Sequence, residues 1–116
     1  MRSSGSECGW SHADARGGVG SAVPMAGPHP VVILTVNQIA APLSAVTVAL
    51  VTGSAGPDVT HVRIGPDAGV KRYPESYVNC TDLHTVDKPR LRRRLGRLNL
   101  VEMRGIESAV RHTLRL

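Results

Sequence analysis

The sequence predicts a strand-rich α+β domain closed by a C-terminal helix, and three observations carry that expectation. Two apolar, β-branched runs, Pro-Val-Val-Ile-Leu-Thr-Val at 30–36 and Ala-Val-Thr-Val-Ala-Leu-Val-Thr at 45–52, have the composition of largely buried strands. Residues 60–64 alternate, with Val62 between His61 and Arg63, as a half-exposed strand does. Near the end of the chain Met103, Ile106, Val110 and Leu114 recur at helical spacing behind Asn99 and Glu102, the residue types of a capping box. With 116 residues, 41% hydrophobic and 20% charged, the chain is one small domain, too short for two independent cores.

The elements follow in order. Residues 1–30 hold Gly5, Gly9, Gly17, Gly18, Gly20, Gly27, Pro24 and Pro28 with little periodicity, and predict mostly loop. Gly17-Gly18-Val19-Gly20 lacks the Lys and Ser/Thr of a phosphate loop and the spacing of a dinucleotide fingerprint, so it predicts a turn. The first apolar strand opens at Pro30, a position that tolerates a missing N–H, and an irregular loop joins it to the second. Gly53-Ser54-Ala55-Gly56-Pro57-Asp58 breaks the chain, and Gly65-Pro66-Asp67 predicts a turn after the alternating segment. Residues 76–83 read as another strand, with Tyr77, Asn79 and Thr81 on one face and Val78, Cys80 and Asp82 on the other. Asp87-Lys88-Pro89-Arg90-Leu91 predicts a single helical turn with proline near its start, and residues 93–98 a basic strand. Arg111, His112 and Arg115 crowd the end of the final helix, where cations complement its dipole. No internal repeat is visible.

Composition narrows the function. Aromatic content is 3%, Trp10, Tyr73 and Tyr77 with no Phe, which argues against folds that stack RNA bases on rows of aromatics. The apolar runs fall far short of the roughly 20 residues that span a bilayer, and no apolar stretch of a secretory signal precedes Val31, so the expected location is cytoplasmic. Cys8 and Cys80 make no disulfide framework there. Lys and Arg number 14 against 9 Asp and Glu, a formal charge of +5. The excess gathers at Lys88, Arg90, Arg92, Arg93, Arg94 and Arg97, which suits a polyanionic partner, or a charged strand edge that resists aggregation.

Most enzyme classes find no frame here: no Ser-His-Asp order with its flanking motif and no recognisable carboxylate pair. Cys8 with His12 and Cys80 with His84 allow a Cys2His2 zinc site to be drawn. The second pair falls in a predicted strand, where residues four apart lie about 13 Å from each other, so no metal is expected. RNA cleavage by the ribose 2′-oxygen needs fewer groups, because the nucleophile belongs to the substrate. The protein supplies positioning, a proton acceptor and positive charge. His29 suits proton transfer, or is an ordinary loop histidine. Thr52, ending a buried strand before Gly53, suits a phosphate contact, or is a strand-end cap.

The order of these segments resembles the MazF/PemK family of toxin endoribonucleases, which cut single-stranded RNA at short sequences. The resemblance is densest over residues 75–98, where Thr85-Val86-Asp87-Lys88-Pro89-Arg90-Leu91 is similar to the family's T-V-D-K-x-R-L turn and Arg94-Leu95-Gly96-Arg97-Leu98 to its R-x-G-x-L strand. Residues 30–34 resemble the strand after the family's Arg-Pro, and residues 48–52 the strand that ends in its catalytic Thr. The matching toxin domain spans 27–116, and residues 1–26 are a weakly matched N-terminal strand and loop segment in which Gly9-Trp10, Ala13-Asp14 and Gly20-Ser21 echo the family's opening.

The resemblance implies a small SH3-like barrel of the CcdB and MazF type with a C-terminal helix, a homodimer, a single-stranded RNA substrate, and a groove that a MazE-like antitoxin tail blocks. It implies no cofactor. Thr52 falls on the catalytic threonine, and Thr81 and Asp82 fall where the family places base-reading polar groups. Arg63, Lys71 and Arg72, which lie on or after the half-exposed strand, are candidate phosphate contacts, or solvated surface charge. Two positions depart from the pattern. His29 stands where the family has arginine, and an imidazole moves protons but lacks the permanent fork of charge of a guanidinium. Ala22 stands where some members have a glutamate. The chain is therefore either a toxin that has reassigned its proton transfers or a degenerate one that binds antitoxin or RNA without cutting. Gyrase-poisoning toxins share this kind of fold, but the residues around Thr52 and 85–98 resemble the nuclease branch.

Overall fold

The computed structural model describes residues 16–25, 27–35 and 44–115. Six strands form one antiparallel sheet: β1 (Gly18–Met25), β2 (Gly27–Ile33), β3 (Ala45–Thr52), β4 (His61–Ile64), β5 (Ser76–Asp87) and β6 (Leu91–Arg97), in the spatial order β4-β5-β3-β2-β1-β6. Among the described residues, 3₁₀ turns at Pro66–Ala68 and Lys88–Arg90 precede β5 and β6, and a helix, α1 (Leu100–Leu114), follows β6. This is the expected α+β class, a mostly antiparallel sheet with a C-terminal helix.

The centre of the sheet is apolar on both faces, which explains why β2 and β3 read as continuous rather than alternating runs. Val32, Ala49, Val51, Val78 and Cys80 pack on one face with Ile106 and Ala109 of α1. Val31, Ile33, Val46, Val48, Leu50, Val86 and Leu91 form a second cluster on the other. Two separate apolar layers around one curled sheet are consistent with a small barrel-like fold. The two sheet edges also approach each other. The turn after β4 runs against β6 so closely that a Cβ at Gly96 would collide with the backbone of Asp67 and Ala68, and one at Gly69 with that of Leu95. Gly69 also sits at φ +76°, where a side chain would be strained.

The helix begins where its capping box predicts. Asn99 Oδ1 accepts from the Glu102 backbone N–H at 2.8 Å, and Glu102 Oε1 accepts from the Asn99 N–H at 2.9 Å. The other Glu102 oxygen accepts from the Gly65 N–H at 2.6 Å, tying the helix start to the loop after β4. Among the described residues no helix is long and apolar enough to cross a membrane.

Several boundaries differ from expectation. Residues 1–30 were expected to be mostly loop, yet β1 occupies Gly18–Met25 and β2 starts at Gly27, three residues before the predicted opening at Pro30. Of the glycine cluster expected to turn, only Gly17, at φ +81°, lies in a turn. Gly18 and Gly20 pair in register with Arg97 and Arg94 of β6. Sheet pairing on both sides of β1 outweighs the weak strand preference of its glycines, and that pairing has no local signature. β5 runs on to Asp87 and β6 starts at Leu91, each extending the predicted strand toward the short turn between them. Val36, the end of the first expected strand, lies outside the described residues.

Candidate active site

The register of the central strands gathers the candidate side chains. Val31 pairs with Leu50, Val32 with Ala49 and Ile33 with Val48. That pairing ends at Val31, and two residues further along β2 the His29 side chain meets the carbonyl of Val51, the residue before Thr52 in β3. On its other side His29 pairs with Ala22 of β1, Thr52 pairs with Tyr77 of β5, and Tyr77 pairs with Arg63 of β4. Residues opposite one another on neighbouring strands share a face, and strand alternation from the Val31–Leu50 pair puts His29 and Thr52 on the same one, so Ala22, His29, Thr52, Tyr77 and Arg63 lie on one face across five strands. The expected pair, His29 and Thr52, is at its centre.

A hydrogen bond fixes the imidazole. His29 Nε2 lies 3.0 Å from the carbonyl oxygen of Val51, the residue before Thr52. A carbonyl only accepts, so Nε2 donates and Nδ1 of the neutral ring keeps the lone pair. Thr52 Oγ1 accepts from the Ser54 backbone N–H at 3.2 Å, a side-chain turn that orients the hydroxyl and leaves its own proton to donate outward. Gly53 is required by what lies against it, since a Cβ there would come within 2.8 Å of Tyr73 Cγ.

Beside Thr52 sits a second constellation. The Tyr77 hydroxyl donates to Glu75 Oε1 at 2.9 Å, and an Arg63 guanidinium nitrogen lies 3.4 Å from Glu75 Oε2. The carboxylate that accepts from the phenol stabilises its protonated form, which raises the Tyr77 pKa above its ordinary value. Arg63, Tyr73 and Glu75 line a solvent-open pocket of about 460 Å³.

The remaining expected residues lie apart from these five. Thr81 and Asp82 occupy an irregularity in β5, where its pairing with β3 jumps from Asn79 opposite Leu50 to Leu83 opposite Ala49. Thr81 Oγ1 donates to Asn79 Oδ1 at 2.6 Å, and Asp82 Oδ1 lies 2.8 Å from His84 Nε2. Lys71 and Arg72 are exposed on the segment leading to Tyr73. Cys80 is fully buried, which pushes its thiol up to about 11, while Cys8 and His12 lie outside the described residues. Sequence reading passed over Glu75, Tyr73 and Tyr77. Strand alternation placed Tyr77 on a face, but only the pairing of β5 with β3 shows which residue it joins.

Residues 10–114 match the family described as PemK-like, MazF-like toxin of type II toxin-antitoxin system. Among solved structures, an endoribonuclease from a mycobacterial species is 25% identical with a TM-score of 0.77, over 90% of this chain and 93% of that one. A mycobacterial endoribonuclease in complex with its cognate antitoxin is 26% identical with a TM-score of 0.79, over 87% of this chain and 94% of that one. The Mycobacterium tuberculosis toxin MazF-mt6 is 25% identical with a TM-score of 0.76, over 85% of this chain and 97% of that one. Among curated proteins none matches significantly.

Proposed function

Because the chain belongs to the PemK-like, MazF-like family of type II toxins, we propose that it is a sequence-selective, metal-independent endoribonuclease that cuts single-stranded RNA with His29 and Thr52 at the scissile phosphate. The observation that carries this reading is the 3.0 Å hydrogen bond from His29 Nε2 to the carbonyl of Val51, which ties a proton-transfer group to the end of β3, one residue before Thr52. In this reaction the ribose 2′-oxygen attacks the adjacent phosphorus and the bond to the 5′-oxygen breaks. The products are a 2′,3′-cyclic phosphate and a 5′-hydroxyl. His29 Nδ1 accepts the 2′ proton, solvent protonates the departing oxygen, and the Thr52 hydroxyl donates to a non-bridging phosphate oxygen. Thr81 and Asp82 contact bases further along the strand, and Lys71 and Arg72 contact phosphates. The protein works in the cytoplasm as a homodimer. Its inhibitor is a cognate antitoxin whose acidic, disordered segment folds onto the basic surface. The complex of a similar mycobacterial endoribonuclease with its cognate antitoxin supports that partner.

The same hydrogen bond favours one other reading, in which His29 is a clasp between β2 and β3 and the chain binds antitoxin or RNA without cutting. Position 29 separates the two. Under the nuclease reading, His29→Ala lowers cleavage of a mixed-sequence single-stranded RNA by about 100-fold or more, and His29→Arg lowers it as well. A large gain of cleavage from near zero in His29→Arg establishes the degenerate toxin instead.

A further inference from the structure

The pocket beside Thr52 has its own recognition chemistry. Glu75, Arg63 and Tyr73 are among the residues that line it, Tyr73 also packing against the apolar core, and its volume of about 460 Å³ is in the range of small-ligand sites. It adjoins the reacting centre, because the Tyr73 ring lies on Gly53, the residue after Thr52. Each Glu75 oxygen accepts one hydrogen bond, from Tyr77 or Arg63, and keeps further lone-pair capacity. The Tyr77 bond anchors the carboxylate. The Arg63 pair is long, at 3.4 Å, and its two side chains are 68% and 54% exposed, so a ligand displaces the guanidinium at little cost.

A carboxylate repels phosphate, so this pocket does not extend the phosphate path. It is built to accept from donors, with an arginine close by to donate and an aromatic ring to stack. Single-stranded RNA offers that pattern on its splayed bases, which are read by stacking and by hydrogen bonds on their Watson–Crick edges. Guanine alone presents two adjacent donors, N1–H and the N2 amino group, beside an acceptor, O6. Uracil places its single donor between two acceptors, and adenine and cytosine each offer one amino group.

Resting on the nuclease reading for its placement, we infer that Arg63, Tyr73 and Glu75 form a guanine-binding subsite next to the scissile phosphate. The base stacks on Tyr73, its N1–H and N2 amino group donate to Glu75, and Arg63 swings from Glu75 to donate to O6. Tyr77 is a positioning residue that holds the carboxylate.

The test is a binding measurement, independent of cutting. Fluorescence anisotropy is followed for full-length Thr52→Ala protein with labelled octamers of uridine, and with the same octamers carrying one guanosine or one inosine, which lacks the N2 amino group. The guanosine octamer is expected to bind about 10-fold more tightly than all-uridine RNA, in line with one bidentate base contact, with inosine losing most of the gain. Glu75→Gln in the same background abolishes the difference between guanosine and inosine, and Tyr77→Phe reduces it. Equal affinity for guanosine and inosine, discrimination that survives Glu75→Gln, or no binding to any octamer overturns the subsite. Cleavage by the wild-type protein in a parallel reaction shows separately whether the nuclease reading stands.

Discussion

At the scale of single residues, function depends on which atoms are committed and which remain available. His29 spends Nε2 on the Val51 carbonyl and keeps Nδ1, while Thr52 accepts through Oγ1 and keeps its proton to donate. Tyr77 is committed in the opposite sense, with its proton given to Glu75. That bond makes a prediction about pH. Because the carboxylate stabilises the protonated phenol, the Tyr77 pKa lies above its ordinary value, and Glu75→Ala brings it back down. Ring resonances followed by NMR from neutral to alkaline pH read the shift directly, and a Tyr77 titration unmoved by Glu75→Ala removes Glu75 as its cause. The Glu75 group was the part of the site least legible in the sequence. Thr52 had a local signature, a buried β-branched run ending at glycine, and His29 stood beside a proline at a strand start. Nothing local marks Glu75, because its importance comes from Tyr77 and from Arg63 on the neighbouring strand.

At the scale of elements, what was legible followed local periodicity. The capping residues Asn99 and Glu102 are three apart in sequence and meet because the helix itself brings them together. Replacing Asn99 with Ala is expected to cost about 1 kcal/mol of folding stability in urea denaturation. Glu102→Ala is expected to cost more, since the same carboxylate also satisfies the Gly65 N–H across the loop after β4. Equal effects for the two changes would show that the Gly65 bond adds nothing. The turn at Lys88–Arg90 was readable for the same reason, a proline near its start. β1 was not. Its Gly-Val-Gly-Ser-Ala sequence carries little strand preference, and it is held by β2 on one side and β6 on the other, partners drawn from distant parts of the chain. That omission mattered for the site, because β1 places Ala22 directly opposite His29. Ala22 thus stands opposite His29 in the register, and its side chain is a methyl group.

At the scale of the whole molecule, charge and topology work together. The chain carries a formal charge of +5, and its central strands set the candidate catalytic pair on one face of the sheet, with Arg63 on the same face. If Lys71 and Arg72 guide the RNA, neutralising either weakens binding and reduces the slope of log affinity against log salt by about 0.7 per lost contact. A salt slope unchanged by Lys71→Ala or Arg72→Ala takes that residue out of the RNA path. Cleavage by the substrate's own 2′-hydroxyl leaves characteristic product ends. Wild-type and Thr52→Ala proteins are incubated with mixed-sequence single-stranded RNA in EDTA, and the product ends are identified. The expected fragments end in 2′,3′-cyclic phosphates and 5′-hydroxyls and disappear with Thr52→Ala. No cleavage by well-folded wild-type protein, or fragments bearing 5′-phosphates, would contradict that mechanism.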